Sequence, residues 1–89
     1  MKEKYQEELS EDTAVMDKAS IILYNDDYNT FDHVIHCLVT ICGHEVIAAE
    51  QCAYIVHTTG KCVVKYGYPE DLTPKCVSLR DRGLTAAIE

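Results

Sequence analysis

A short apolar run, SIILY at residues 20–24, stops abruptly on Asn25-Asp26-Asp27, and a helical pattern begins at Phe31. The run is rich in β-branched residues and reads as a buried strand; asparagine and aspartate are the residues that end strands and make turns. Beyond them Phe31, Val34, Ile35, Leu38, Val39 and Cys42 recur at helical spacing. Asn29 or Thr30 is placed to cap this helix, Asp32 lies in its first turn, and Gly43 stops it. The pattern therefore sets an acceptor-rich loop between the end of a core strand and the start of an amphipathic helix.

The rest of the chain repeats this alternation. A second helix is predicted over Glu45–His57, with Val46, Ala49, Ala53 and Val56 on one face, Cys52 and Ile55 beside them, and Gly60 just past its end. Lys61–Tyr66 (KCVVKY) reads as a strand. After the Gly67-Tyr68-Pro69 turn, Leu72, Cys76 and Leu79 keep helical spacing as far as Gly83. Pro74 leaves two readings of this third helix: Thr73 caps it and Pro74 sits in its first turn, or Pro69 opens it and it kinks at Pro74. Residues 84–89 have the length of a closing strand. The order strand, helix, helix, strand, helix, strand predicts a small α/β (α+β) sandwich, with helices covering one face of a three-stranded sheet.

Eighty-nine residues suffice for one such domain. Residues 1–18 mix six acidic with three basic residues and few apolar ones, which predicts a flexible N-terminal extension ahead of a domain at 19–89. Fully extended, that segment would reach on the order of 60 Å. Fifteen Asp and Glu stand against eight Lys and Arg, so phosphate backbones are repelled and no nucleic-acid partner is expected. Five cysteines, at 37, 42, 52, 62 and 76, form no CxxC pair, and the N-terminus lacks the layout of a signal peptide. Reduced thiols and a cytoplasmic location are expected. No apolar run approaches the roughly 20 residues of a membrane span, and no basic amphipathic face suits a lipid surface.

Asn25, Asp26 and Asp27 offer one amide oxygen and two carboxylates on a short turn, with no basic neighbour in sequence. They suit a cation, although strand ending and turn capping alone would also explain them. His57 falls at a helix C-terminus, where it is either a cap or surface residue or a further acceptor. If the second helix packs beside the first, Phe31, Val34, Ala53 and Val56 line an apolar recess rimmed by His57 and the Asn-Asp-Asp turn. A free amino terminus bearing a bulky first side chain fits such a recess. His33, His36, Cys37, Cys42 and His44 lie close in sequence, but helical geometry does not converge them as zinc requires, so no metal or other cofactor is expected. No glycine-bracketed cysteine accompanies His57, which argues against a thiol nucleophile.

The block ILYNDDYNTFDHVI, followed some thirty residues later by VHTTGK at 56–61, resembles the ClpS family, adaptors that hand N-degron substrates to Clp-family AAA+ proteases. The likeness runs from about residue 19 to 89. It implies a three-stranded antiparallel sheet under three helices, similar to the ribosomal stalk protein's C-terminal domain, and an adaptor without catalysis of its own. It further implies that Asn25, Asp26, Asp27 and His57 gather around the substrate's α-amino group, while its first side chain enters a hole lined by Thr30, Phe31, Val34, Ala53, Val56 and Leu84. Glu70 and Lys75 match positions facing the N-terminal domain of the Clp ATPase, which also engages the N-terminal extension; the adaptor is expected to be monomeric. The sequence departs from the family pattern at four places: Asn29-Thr30 replaces Thr-Pro, Phe31 and Ala53 each replace a methionine, and Pro74 falls within the third helix. A stalk-like interaction module without N-degron binding is the alternative reading.

Overall fold

The computed structural model describes residues 17–89, so the expected N-terminal extension lies, apart from its last two residues, outside the described part. The elements run β1 (Ala19–Tyr24), α1 (Phe31–Cys42), α2 (Val46–Thr59), β2 (Lys61–Gly67), α3 (Pro69–Asp81) and β3 (Thr85–Ile88). They form a three-stranded antiparallel sheet in the order β2-β1-β3 with three helices, the expected β-α-α-β-α-β arrangement.

The central strand supplies the hydrophobic anchor. Ile21 and Leu23 are fully buried and join the core, while Ile22 between them falls outside the core cluster, as a two-residue side-chain period requires. Leu23 faces Cys62 on one neighbour and Ala86 on the other. The register slips between Ile21 and Ile22, where Lys65 and Val63 are the partners, leaving Val64 unpaired in the ladder; its side chain joins the core. Against this face pack Cys37, Leu38 and Cys42 of α1, Ala49 and Val56 of α2, and Leu72, Cys76 and Leu79 of α3. Each large side chain buried this way contributes about 1.5–3 kcal/mol.

Of the two candidates for the α1 cap, Thr30 does the work: its hydroxyl accepts from the His33 backbone N–H at 3.1 Å. Helix α2 extends two residues beyond the expected His57 and ends at Gly60, whose φ of +99° needs a glycine and whose N–H returns to the Val56 carbonyl at 2.9 Å. Helix α3 opens at Pro69, which corrects the reading of Thr73 as its cap. Proline at the first helical position has no N–H to leave unpaired, and Leu72, only 1% exposed, anchors this first turn in the core. The helix then passes through Pro74 to Asp81, with the Thr73 hydroxyl donating to the Pro69 carbonyl at 2.7 Å. It ends before Gly83 because Arg82 leaves the helix and Gly83 takes a φ of +88°.

Among the described residues no helix is long and apolar enough to cross a membrane.

Candidate functional site

The loop after β1 is built by one carboxylate. Asp26 Oδ1 accepts the backbone N–H groups of Tyr28 and Asn29, both at 2.9 Å, and its Oδ2 accepts the Asn29 side-chain amide at 2.7 Å. This is the turn that a short acidic side chain makes by bonding to backbone two and three residues on. Partial burial alone would favour the neutral acid, but the hydrogen bonds from Asn29 and Tyr28, with the positive charge of His33 added, hold the Asp26 carboxyl below its ordinary value. A carboxylate has about four acceptor positions, and these bonds occupy three, leaving one free on Oδ2.

Both flanks of the loop are tied down. The Asn25 N–H donates to the Gly60 carbonyl at the end of α2, at 2.9 Å, and the Asn29 amide donates to the Gly83 carbonyl at 2.9 Å. Asn25 and Asp27 are exposed. The loop thus presents an amide and a carboxylate to solvent beside the ends of two helices.

Between α1 and α2 lies an open cleft of about 290 Å³, lined by Asn25, Asp26, Asp27, Asn29, Phe31, Val34, Ala53, Val56 and His57. Beneath it a hole of about 20 Å³ is lined by Val34, Val56 and Leu84 together with Leu23, Tyr24 and the loop residues Asn25, Asp26 and Asn29. That is room for about one water or a methyl group. Ala53 and Val56 are buried, so the α2 wall is smooth and apolar, while His57 is exposed at its upper end. The rings of Phe31 and His57 meet edge to face, with centroids 5.8 Å apart and planes at 86°, a favoured aromatic geometry. Phe31 is 43% exposed and stands at the cleft mouth.

All four residues expected at the rim, Asn25, Asp26, Asp27 and His57, meet at one cleft, with Phe31, Val34, Ala53 and Val56 below them. Leu84 reaches only the deeper hole. Thr30 lines neither; its hydroxyl is committed to capping α1. Glu70 and Lys75 lie elsewhere, on α3: Glu70 is exposed in the first turn, and Lys75 borders a shallow groove with Thr40, Ile41, Pro74 and Ser78. Sequence reasoning considered Asn29 only as a cap, yet it lines both cavities. An Asp followed three residues later by Asn is the local signal for its bond to Asp26; nothing local signals its bond to Gly83.

Two further histidines tie their segments to neighbouring backbone. His33 Nε2 donates to the Arg82 carbonyl at 2.9 Å and His44 Nε2 to the Val64 carbonyl at 2.6 Å. Among the described residues no three His, Cys, Asp or Glu side chains converge as metal ligands. All five cysteines are free. Burial and the adjacent Cys62 push the Cys52 thiol up to about 11, so little thiolate is present at neutral pH.

The family model described as ATP-dependent Clp protease adaptor protein ClpS matches residues 15–87. The chain is 40% identical over 68 residues to the ATP-dependent Clp protease adapter protein ClpS of a Nostoc species, a match spanning 75% of this chain and 70% of that protein. Its fold is similar to that of Agrobacterium tumefaciens ClpS2, solved with bound L-phenylalaninamide, with a TM-score of 0.73 at 20% identity, covering 81% of this chain and 96% of the other. The family model spans most of the chain and the Nostoc relative is 40% identical over three quarters of it, so the chain belongs to the ClpS family of ATP-dependent Clp protease adaptors.

Proposed function

We propose that this protein binds polypeptides that begin with a bulky hydrophobic residue (Leu, Phe, Tyr or Trp) and delivers them to a Clp AAA+ ATPase and its protease. The observation that carries the proposal is the 290 Å³ cleft whose floor is apolar and whose rim is made of acceptors. The Agrobacterium relative's ligand, an aromatic residue with a free amino group, supports the reading. In this mechanism the substrate's ammonium lies at the rim, its three N–H groups shared among Asp27, the Asn25 amide oxygen, the neutral imidazole of His57 and the free position on Asp26. The first side chain lies in the cleft against Phe31, Val34, Ala53 and Val56, with Leu84 beneath.

Burying a Leu or Phe side chain contributes about 1.5–3 kcal/mol, and each hydrogen bond to the ammonium a comparable amount. Less the cost of association, three or four such contacts give affinities near the micromolar range, which suits a carrier that must release its cargo. An internal residue lacks the ammonium and would bury the acceptors without a partner; a side chain branched at Cβ would collide with the rim. Position is thus read by the rim and identity by the cleft. Glu70 and Lys75 on α3 face the N-terminal domain of the ATPase, away from this cleft, and the adaptor works as a monomer in the cytoplasm. The test is a fluorescence titration with short peptides that differ only in the first residue. Selective binding of Leu-, Phe-, Tyr- or Trp-initiated peptides supports the proposal; no preference among first residues refutes it.

A further inference from the structure

We propose that Asn29 is a positioning residue for the cleft, its single amide nitrogen clasping Asp26 Oδ2 at 2.7 Å and the Gly83 carbonyl at 2.9 Å and so fixing the acceptor loop to the turn that carries Leu84. The inference rests on the N-terminus-binding reading of this site and adds to it a residue that couples its two halves. Both partners of the Asn29 amide are oxygen acceptors, so the nitrogen must face them and both of its protons are used. The Asn29 backbone N–H also donates to Asp26 Oδ1 at 2.9 Å, so side chain and backbone grip the same carboxylate. Asn29 lines the cleft and the deeper hole together, whereas Leu84 lines only the hole.

Glycine at 83 serves the backbone rather than the space: its φ of +88° is one that L side chains rarely adopt, whereas a Cβ added there would make only ordinary contact, 3.9 Å from Asn29 Oδ1. A second tie, His33 Nε2 to the Arg82 carbonyl at 2.9 Å, brings α1 to the same turn but touches no acceptor of the rim. Asn29 is therefore the side chain through which the rim, which reads the amine, and the wall behind it, which reads the first side chain, hold a common geometry. Removing its amide frees Asp26 Oδ2, loosens the loop on its α3 side while the Asn25 bond to Gly60 holds the other, and lets Leu84 shift. The carboxylate of Asn29→Asp would face two acceptors and act in the opposite sense to the amide.

The test uses the full chain carrying Asn29→Ala, Asn29→Asp or Asn29→Ser, each checked for an unchanged thermal midpoint. Without ligand, amide hydrogen exchange should quicken at Tyr28, whose N–H bonds Asp26, and at Leu84, whose N–H bonds the Leu79 carbonyl, while β1 amides keep their rates. With a fluorescent Phe-initiated peptide, Asn29→Ala should weaken binding on the order of 10-fold, Asn29→Asp more and Asn29→Ser less. A merely structural loss would multiply with any other; a clasp acting through the turn makes Asn29→Ala cost much less in a Leu84→Ala background than in the parent. Unchanged exchange at Tyr28 and Leu84 in Asn29→Ala overturns the proposal, as does full additivity with Leu84→Ala. If the parent protein itself ignores free-amine peptides, the binding reading fails, while the exchange rates still decide whether Asn29 joins loop and turn.

Discussion

The loop at residues 25–29 is held by hydrogen bonds on both flanks, to Gly60 and to Gly83, whereas the α2 wall across the cleft is held by the packing of Ala49, Ala53 and Val56. Among the described residues the His57 ring meets Phe31 and makes no hydrogen bond. The contrast assigns the two sides different tasks. Hydrogen bonds fix distance and direction, which a small ammonium demands; aliphatic and aromatic packing sets only volume, which suffices for a family of large side chains. The wall can be changed to alter preference, and the loop can only be broken.

The largest effect should come from removing a rim acceptor. Asp27→Ala or His57→Ala is expected to reduce binding of a Leu- or Phe-initiated peptide by at least about 30-fold, with a thermal midpoint near that of the parent because both side chains are exposed. Parent-like affinity in either variant would remove that residue from the amine site. On the wall the outcome should be altered choice rather than loss. Phe31→Ala clears the mouth and should admit Ile- and Val-initiated peptides while weakening Phe-initiated ones several-fold; Ala53→Met fills the cleft and should disfavour Trp and Phe more than Leu. A first-residue binding series reads both. If both variants scaled every peptide equally, the wall would have no part in choice.

Acid should separate the two sides as well. An imidazolium has no lone pair to offer an ammonium, so peptide affinity should fall when measured at pH 5 rather than pH 8. The loop should outlast this loss. The folded-state value of Asp26 is lowered, so its stabilising contribution is complete above the ordinary carboxylate range and disappears only as the pH falls through that lowered value. Circular dichroism unchanged at pH 5 alongside weakened peptide binding would fit; loss of structure in step with loss of binding would not. The smallest effect is expected at Thr30. Its hydroxyl caps α1 and lines neither cavity, so Thr30→Ala should lower stability by about 0.5–2 kcal/mol and change peptide affinity about twofold at most.

Much of this was legible from the chain alone, for reasons that differ between regions. The period-two burial of Ile21 and Leu23 and the helical spacing from Phe31 to Cys42 are local patterns, and they placed β1 and α1 to within a residue. Asn25, Asp26, Asp27 and His57 were legible as a group through the paired ClpS-like motifs NDDY and VHTTGK; taken singly, turn formation and helix capping explained them as well. The start of α3 was not legible: Pro69 and Pro74 each suit a first turn, and the burial of Leu72, a tertiary event, decides between them. The commitment of Asp26 to Tyr28 and Asn29 was not legible because either aspartate of the pair could bond to the N–H groups that follow it, and only the backbone path of the loop decides which one does. The Asn29 bond to Gly83 spans 54 positions in sequence, and no local pattern encodes it.

One comparison tests the central claim most directly: calorimetric titration with two peptides that both begin with phenylalanine and differ only in whether the α-amino group is free or acetylated. The account predicts near-micromolar binding of the free amine and at least about 100-fold weaker binding of the acetylated form. Equal affinity for the two would show that the acceptor rim does not read the amino terminus, and would contradict the account.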